Sequence, residues 1–263
     1  MTAISLAAVR QSRAPAGRNA IAVASGKGGV GKTWFAVTLA HALSQAGART
    51  LLFDGDLGLA NVDIQLGLMP ERDLSGVIAG QLTLRQSVSK LEDAGFDVIA
   101  GRSGSGSLSS LPAARVAALT ESLMTLAADY DKVVIDLGAG VEETVRALAC
   151  GAGTTLVVTT AEPTALTDAY AFIKLAHAER PGADIRVVVN MAASEREGER
   201  TYHTILKACQ NFLKIAPPLA GVVRRDNRVA DAIRHQTPIL SRHPNCDAAR
   251  DVAHIAGRIL AAS

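Results

Sequence analysis

One stretch constrains this chain more than any other, the run GKGGVGKT from Gly26 to Thr33. It fits G-x-x-x-x-G-K-[ST] and lies between an apolar run, AIAVAS at 20–25, and a helix-length segment at 33–46. Glycines at 26, 28, 29 and 31 let the backbone curl until its N–H groups point inward at phosphate oxygens. The N-terminus of the following helix adds positive potential. Lys27, Val30, Lys32 and Thr33 complete the loop as candidate nucleotide residues. Lys32 is expected to reach the β- and γ-phosphates, and the Thr33 hydroxyl to ligate Mg²⁺. A strand, a phosphate loop and a helix in that order belong in a sheet flanked by helices.

The rest of the chain extends that unit. Apolar runs recur at 49–55, 96–101, 131–137, 154–160, 185–190 and 219–223. They are rich in Val, Ile and Leu without strict alternation, as strands buried on both faces should be. Helix-length segments at 112–128, 141–150, 166–179 and 199–213 separate most of them. The expected fold is therefore α/β: a single-domain P-loop NTPase with a mostly parallel, twisted central sheet of about seven or eight strands. Helices should cover both faces. Residues 1–18 are expected to form a flexible arm, set off by Pro15 and Gly17, and 19–263 the P-loop NTPase domain. Ile4, Leu6 and Val9 could instead lie along one side of a short docking or membrane-touching helix. The Gly- and Ser-rich stretch at 101–112 reads as a surface loop.

In parallel α/β sheets ligands bind at the carboxyl ends of the strands, and two acidic elements fall there. LLFDGD places Asp54 and Asp56 past one strand, and KVVIDLGAG places Asp136 at the end of another. Phosphoryl transfer needs carboxylates for the metal and its waters, and one group to orient the attacking water. Asp136, ending an apolar strand, is the better metal-side candidate, with Asp54 beside it. Asp56 opens the loop LGLANVD and is the better water-orienting candidate. Turn or helix capping is the alternative role for these aspartates.

Composition narrows the classes. The 263 residues suffice for one large domain, and 3% aromatic content implies a core of Ala, Val, Leu and Ile. A net charge of +2 is too mild to argue for nucleic acid. Cys150, Cys209 and Cys246 offer neither a disulfide framework nor zinc or cluster spacing, which fits a reducing compartment. No apolar run approaches the roughly 18 residues of a membrane span, and the N-terminus lacks an export pattern. A cytoplasmic protein is expected, with at most peripheral membrane contact.

SGKGGVGKT resembles the deviant Walker A motif, K-G-G-x-G-K-[ST], of the MinD/ParA ATPases. LLFDGDLGLANVDIQLGL resembles that family's first switch and VVIDLGAG its second. AEPTALTDAYAFIKL, IRVVVNMAASEREG and VRRDNRVADAIRHQTPIL resemble the flagellar-number-regulating branch, FlhG or FleN. The resemblance runs from about residue 20 to 260 and implies ATP and Mg²⁺ as cofactors. It also implies slow, partner-stimulated hydrolysis and a homodimer when ATP is bound. Lys27 is implied to cross that dimer interface and contact the partner's phosphates; Lys27, Lys32 and Asp56 are the implied catalytic residues. Asn190, closing RVVVN, matches the asparagine that reads adenine, although an amide there equally caps a turn. The implied protein partners are a flagellar transcriptional activator, a basal-body component or a flagellar GTPase, with recruitment to the cell pole or inner membrane face. The N-terminal segment lacks the Asp-Gln-Ala pattern with which the branch activates the GTPase.

Several positions depart from the pattern. Trp34 stands where the family has a small or polar residue, either near the nucleotide and dimer face or filling a gap against the sheet. Thr38 replaces Asn, and Leu137 and Gly138 replace Ser or Thr and Pro. Arg224 replaces a proline next to the nucleotide, where its cationic plane could stack on the base. The C-terminal ARDVAHIAGRILAAS has helical apolar spacing with Arg258 the one basic residue among it, so a docked helix is favoured over a lipid-binding one. The arginines at 224, 225, 228 and 234 read as a solvated face, with DNA binding the disfavoured alternative. The remaining functional alternatives are a ParA- or MinD-type positioning ATPase for DNA, a protein complex or the division site, and a small-molecule ligase on the same scaffold.

Overall fold

The computed structural model describes residues 17–101 and 111–262. Eight strands form one sheet: β1 (Ala20–Ser25), β2 (Thr50–Gly55), β3 (Ser89–Leu91), β4 (Phe96–Ile99), β5 (Lys132–Ala139), β6 (Thr154–Thr159), β7 (Asp184–Ala192) and β8 (Leu219–Arg224). Ten α-helices accompany them: α1 (Lys32–Gln45), α2 (Val62–Leu66), α3 (Leu74–Ile78), α4 (Ala113–Ala127), α5 (Glu143–Gly151), α6 (Pro163–Glu179), α7 (Glu195–Ala208), α8 (Asn227–Arg234), α9 (Ile239–Arg242) and α10 (Asp247–Ala261). The strand order is β3-β4-β2-β5-β1-β6-β7-β8, and every pair is parallel except β3 with β4.

The alternation of side chains along each strand divides the core in two. Ile21, Val23, Leu52, Val134, Leu156, Val158 and Val188 join the apolar cluster of α1 and α10. Their sequence neighbours Ala22, Leu51, Phe53, Val133, Ile135, Val157 and Val187 join the cluster of α4, α5 and α6. Both faces of the sheet are thus buried, which is why the strands read as unbroken apolar runs. Because β1 sits between β5 and β6, the carboxyl ends of β2, β5, β1, β6 and β7 lie side by side, with the phosphate loop at the middle of the row.

The seven expected strands are present, and the eighth, β3, is a short polar edge strand. Helix α6 starts three residues before its expected position, because Pro163 occupies its first turn with φ already set for helix. Helix α7 also starts early, at a Ser194 cap that accepts from the Glu197 N–H, and residues 209–213 continue it as a π-helical turn. Helix α10 docks: Val252, Ile255 and Ile259 are buried, and it packs on α1 and β8. That is the docked reading of the C-terminal segment. Of the arm expected over 1–18, residues 1–16 lie outside the described residues, as does most of the loop expected over 101–112. Gly17 is buried against the Gly151 carbonyl and the Met124 sulfur. No helix among the described residues is long and apolar enough to cross a membrane.

Candidate nucleotide-binding site

The phosphate loop leaves β1 at Ser25, whose hydroxyl donates to the Lys27 carbonyl at 3.0 Å. Gly26 backs directly onto α6, where a Cβ would lie 2.1 Å from the Asp168 carbonyl. Gly29 and Gly31 have φ of 83° and 81°, in the left-handed region where glycine is favoured. No heavy atom lies within 4 Å of where a Cβ on Gly28 or Gly29 would sit, so that side of the loop is open. Helix α1 begins with no side-chain cap at Gly31 and no acidic residue in its first turn. Its first N–H groups and its dipole therefore favour an anion above the loop.

Lys32 and Asp136 are 104 residues apart and meet because β1 and β5 are neighbours. The Lys32 ammonium donates to Asp136 Oδ1 at 2.8 Å, with side chains 7% and 1% exposed. Asp136 Oδ2 is buried and has no partner. Burial pushes the Asp136 carboxyl up from the ordinary range, while Lys32 and the Thr33 hydroxyl pull it down. Asp54 lies opposite Asp136 in the β2–β5 register. Burial, followed by the Asp136 charge, pushes Asp54 up to about 7 against the Val62 and Asp56 N–H groups it accepts from. Asp54 thus ties the strand end to the start of α2. Asp56 Oδ1 accepts from the N–H groups of Gly58 and Leu59, holding the loop in a turn. With Gly55, Gly138 and Glu142 it lines a cavity of about 390 Å³ between the two acidic elements.

A second cavity, about 450 Å³, lies on the other side of the loop, lined by Gly28, Val30, Thr160, Met191, Glu197 and Arg225 among others. Lys27 stands at its rim and donates to Glu162 Oε2 and Thr164 Oγ1, each at 3.0 Å. Asn190 is buried, and its amide donates to the Val30 carbonyl at 2.8 Å. That donor braces the loop. Met191, next along β7, has φ of 57° and faces the same cavity.

Two residues weighed as nucleotide contacts have their side chains engaged elsewhere. Trp34 is 6% exposed and sits in the apolar cluster with Val223, Ala232 and Ile239, its indole N–H without a partner. Its large ring is buried beside the sheet, which is the gap-filling reading of this position. Arg224 donates through Nε and Nη2 to the Asp251 carboxylate and pairs with Asp247 at 3.2 Å. Its guanidinium ties β8 to α10, which leaves the cavity to Arg225. Sequence reasoning missed Arg225, Thr160, Glu162 and Glu197; Arg225 carried a visible signal, as the second of two arginines after an apolar strand.

Mg²⁺ fits this arrangement. The Thr33 hydroxyl, the partnerless Asp136 Oδ2 and the neighbouring Asp54 supply the oxygen donors that a hard cation takes directly or through water.

A phosphate loop at the centre of a parallel sheet, with carboxylates at the ends of the neighbouring strands, defines a P-loop nucleotide-binding domain. Residues 21–239 match the CobQ/CobB/MinD/ParA nucleotide binding domain, and the chain belongs to that family, among its MinD/ParA ATPases of the FlhG/FleN branch. It is 37% identical to the antiactivator FleN of Pseudomonas aeruginosa, over 91% of this chain and 85% of that one. It is 29% identical to the flagellum site-determining protein YlxH of Helicobacter pylori (91% and 81%) and 32% identical to the septum site-determining protein MinD of Bacillus subtilis (93% and 90%). The cell division ATPase MinD of Pyrococcus furiosus superposes with a TM-score of 0.79 at 24% identity, covering 93% of this chain and 99% of that structure.

Proposed function

We propose that this chain is a Mg²⁺-dependent ATPase that dimerises on ATP and, as a dimer, binds a protein partner to regulate flagellar number or placement. The observation that carries the switch is Lys27. Its ammonium rests at the cavity rim on Glu162, which is itself 67% exposed. Exposed pairs of this kind hold by about 0–1 kcal/mol, so the lysine can exchange Glu162 for a phosphate of a nucleotide in a second subunit. Lys32, by contrast, is sequestered with Asp136 and serves its own subunit's phosphates. A cation supplied across the interface makes dimerisation depend on the γ-phosphate.

Within each subunit the loop N–H groups hold the phosphates, and Thr33 with Asp136 and Asp54 would hold Mg²⁺, which would screen phosphate charge. Asp56 orients the attacking water. The water oxygen bonds to the γ-phosphorus as the bond to the β-phosphate oxygen breaks, releasing phosphate and ADP and with them the glue of the dimer. The cavity of Thr160, Met191 and Arg225 takes the base and ribose. Likeness to FleN and YlxH supports the flagellar role, with a transcriptional activator, basal-body component or flagellar GTPase as partner. The protein then works in the cytoplasm, recruited to the pole or the inner membrane face by its partner.

The test is size exclusion with ADP and with ATP on the unsubstituted protein, Asp56→Ala and Lys27→Ala. Asp56→Ala should bind ATP, turn over slowly and accumulate dimer. Lys27→Ala should bind nucleotide as a monomer and not dimerise; an ATP-dependent dimer of that variant would refute the role in trans. Flagellar counts in cells carrying only Asp56→Ala or Lys27→Ala test the regulatory role, and unaltered counts in both would refute it.

A further inference from the structure

Helix α2 has five residues, too few to hold itself in water, so its order depends on what surrounds it. Its N-terminal end is fixed by Asp54 Oδ2, which accepts from the Val62 N–H, and the side chains of its first and last residues, Val62 and Leu66, are buried. Its C-terminal end meets the end of α8. There the Gln236 amide donates to the Ile64 carbonyl at 3.0 Å.

The backbone on both sides is shaped for that contact. Gln236 has φ of 51°, in the left-handed position after α8 where glycine is the common residue. A glycine there would be free of strain but would have no side chain to reach α2. The glycine stands on the other side: Gly67, φ 62°, ends α2, and a Cβ on it would lie 3.1 Å from Gln236 Cβ. One left-handed turn keeps its side chain and the facing one gives its own up.

We propose that Gln236 is a positioning residue that latches α2, and through it the Asp56 loop, to α8. Helix α8 starts two residues after Arg225, a wall of the 450 Å³ cavity. A continuous path therefore runs from that cavity through Arg225, α8 and Gln236 to α2 and the loop that carries Asp56. Displacing α8 at its Arg225 end shifts the arrangement of Asp56, and ordering Asp56 fixes α8. The catalytic part of this inference rests on the ATPase reading above; the mechanical part does not.

The decisive variant is Gln236→Glu, which keeps the shape and the backbone requirement but replaces the donor by an oxygen facing a carbonyl. Amide exchange over 62–68 should quicken by about two- to twelvefold, the factor set by one net hydrogen bond. kcat should fall by a similar factor with KM for ATP unchanged. Gln236→Gly relieves the left-handed strain, so its Tm should not fall, yet it should show the same faster exchange and lower kcat. Gln236→Lys, which restores a donor, should recover both. Wild-type exchange over 62–68 in Gln236→Glu overturns the latch, as does wild-type kcat in both Gln236→Glu and Gln236→Gly. If the unsubstituted protein hydrolyses no ATP, the function reading falls and exchange alone decides the latch.

Discussion

Lys32 and Asp136 form the one pair in the site whose removal has a magnitude that geometry sets. Unit charges 2.8 Å apart attract by about 6 kcal/mol at an effective dielectric of about 20. Lys32→Ala forfeits that attraction and relieves the ammonium's own burial, so the net loss from breaking the pair should be about 3–5 kcal/mol. For a chain of this size each kcal/mol moves Tm by about 2–4 °C, so the nucleotide-free variant should melt about 6–20 °C lower. The loss should depend on pH. Without Lys32, burial is opposed only by the Thr33 hydroxyl and raises the Asp136 carboxyl further. A raised carboxyl contributes stability below the unfolded value of 3.8 and loses it as pH rises through the folded value. The deficit should therefore be larger at pH 8 than at pH 5, shrinking as the buried carboxyl takes up its proton. Asp136→Asn in the same chain removes the stranded charge and should recover most of the Tm at pH 8. Calorimetry of the wild type, both single variants and the double variant at the two pH values gives the coupling directly. A single variant that melts like the wild type at pH 8, or a double variant no more stable than Lys32→Ala, would refute the reasoning.

Three further expectations follow from groups around the site. Asp54, with its carboxyl at about 7, should cost the nucleotide-free protein up to about 4 kcal/mol as pH rises from 4 to 7; urea unfolding of Asp54→Asn should show a flatter pH profile across that window. His41 is buried on α1 with its titration lowered by burial, so its stability contribution is present above 6.5 and lost as pH falls below it. His41→Gln should reduce the acid sensitivity between pH 6.5 and 5 in the same assay. Arg225→Ala should weaken ATP binding measured by titration calorimetry, whereas Arg224→Ala should leave it unchanged and lower stability by about 1 kcal/mol through the lost pairing with α10.

What the sequence disclosed follows from burial. Strands packed on both faces announce themselves as Val- and Ile-rich runs, and the phosphate loop as glycines at fixed spacing, so the sheet was legible, as was the meeting of the loop with a carboxylate at a neighbouring strand end. Ser-Lys-Leu at 89–91 was not, because an edge strand of three residues carries no periodic signal. Helix α2 was hidden for a related reason: its order comes from Asp54 and from Gln236, 172 residues beyond its partner Ile64, and not from its own propensity. The side-chain partners of Trp34 and Arg224 could not be read from their neighbours in sequence. Which way a side chain turns from a helix or a strand end is decided by packing partners far along the chain, here the apolar residues of α8 and α9 and the carboxylates of α10.

The placement of β1 between β5 and β6 has a consequence for how the chain emerges from the ribosome. The phosphate loop is made first, yet Asp136, Thr160, Asn190 and Arg225, which pair with it or wall its cavity, arrive only as synthesis proceeds. A nascent chain thus carries Lys32 for more than 100 residues before its counter-charge exists. Nucleotide that binds the finished cavity rewards only completed molecules, since a ligand stabilises the state it binds by mass action. Cellular ATP would then draw newly made chains toward the folded form once Arg225 is in place on the cavity wall.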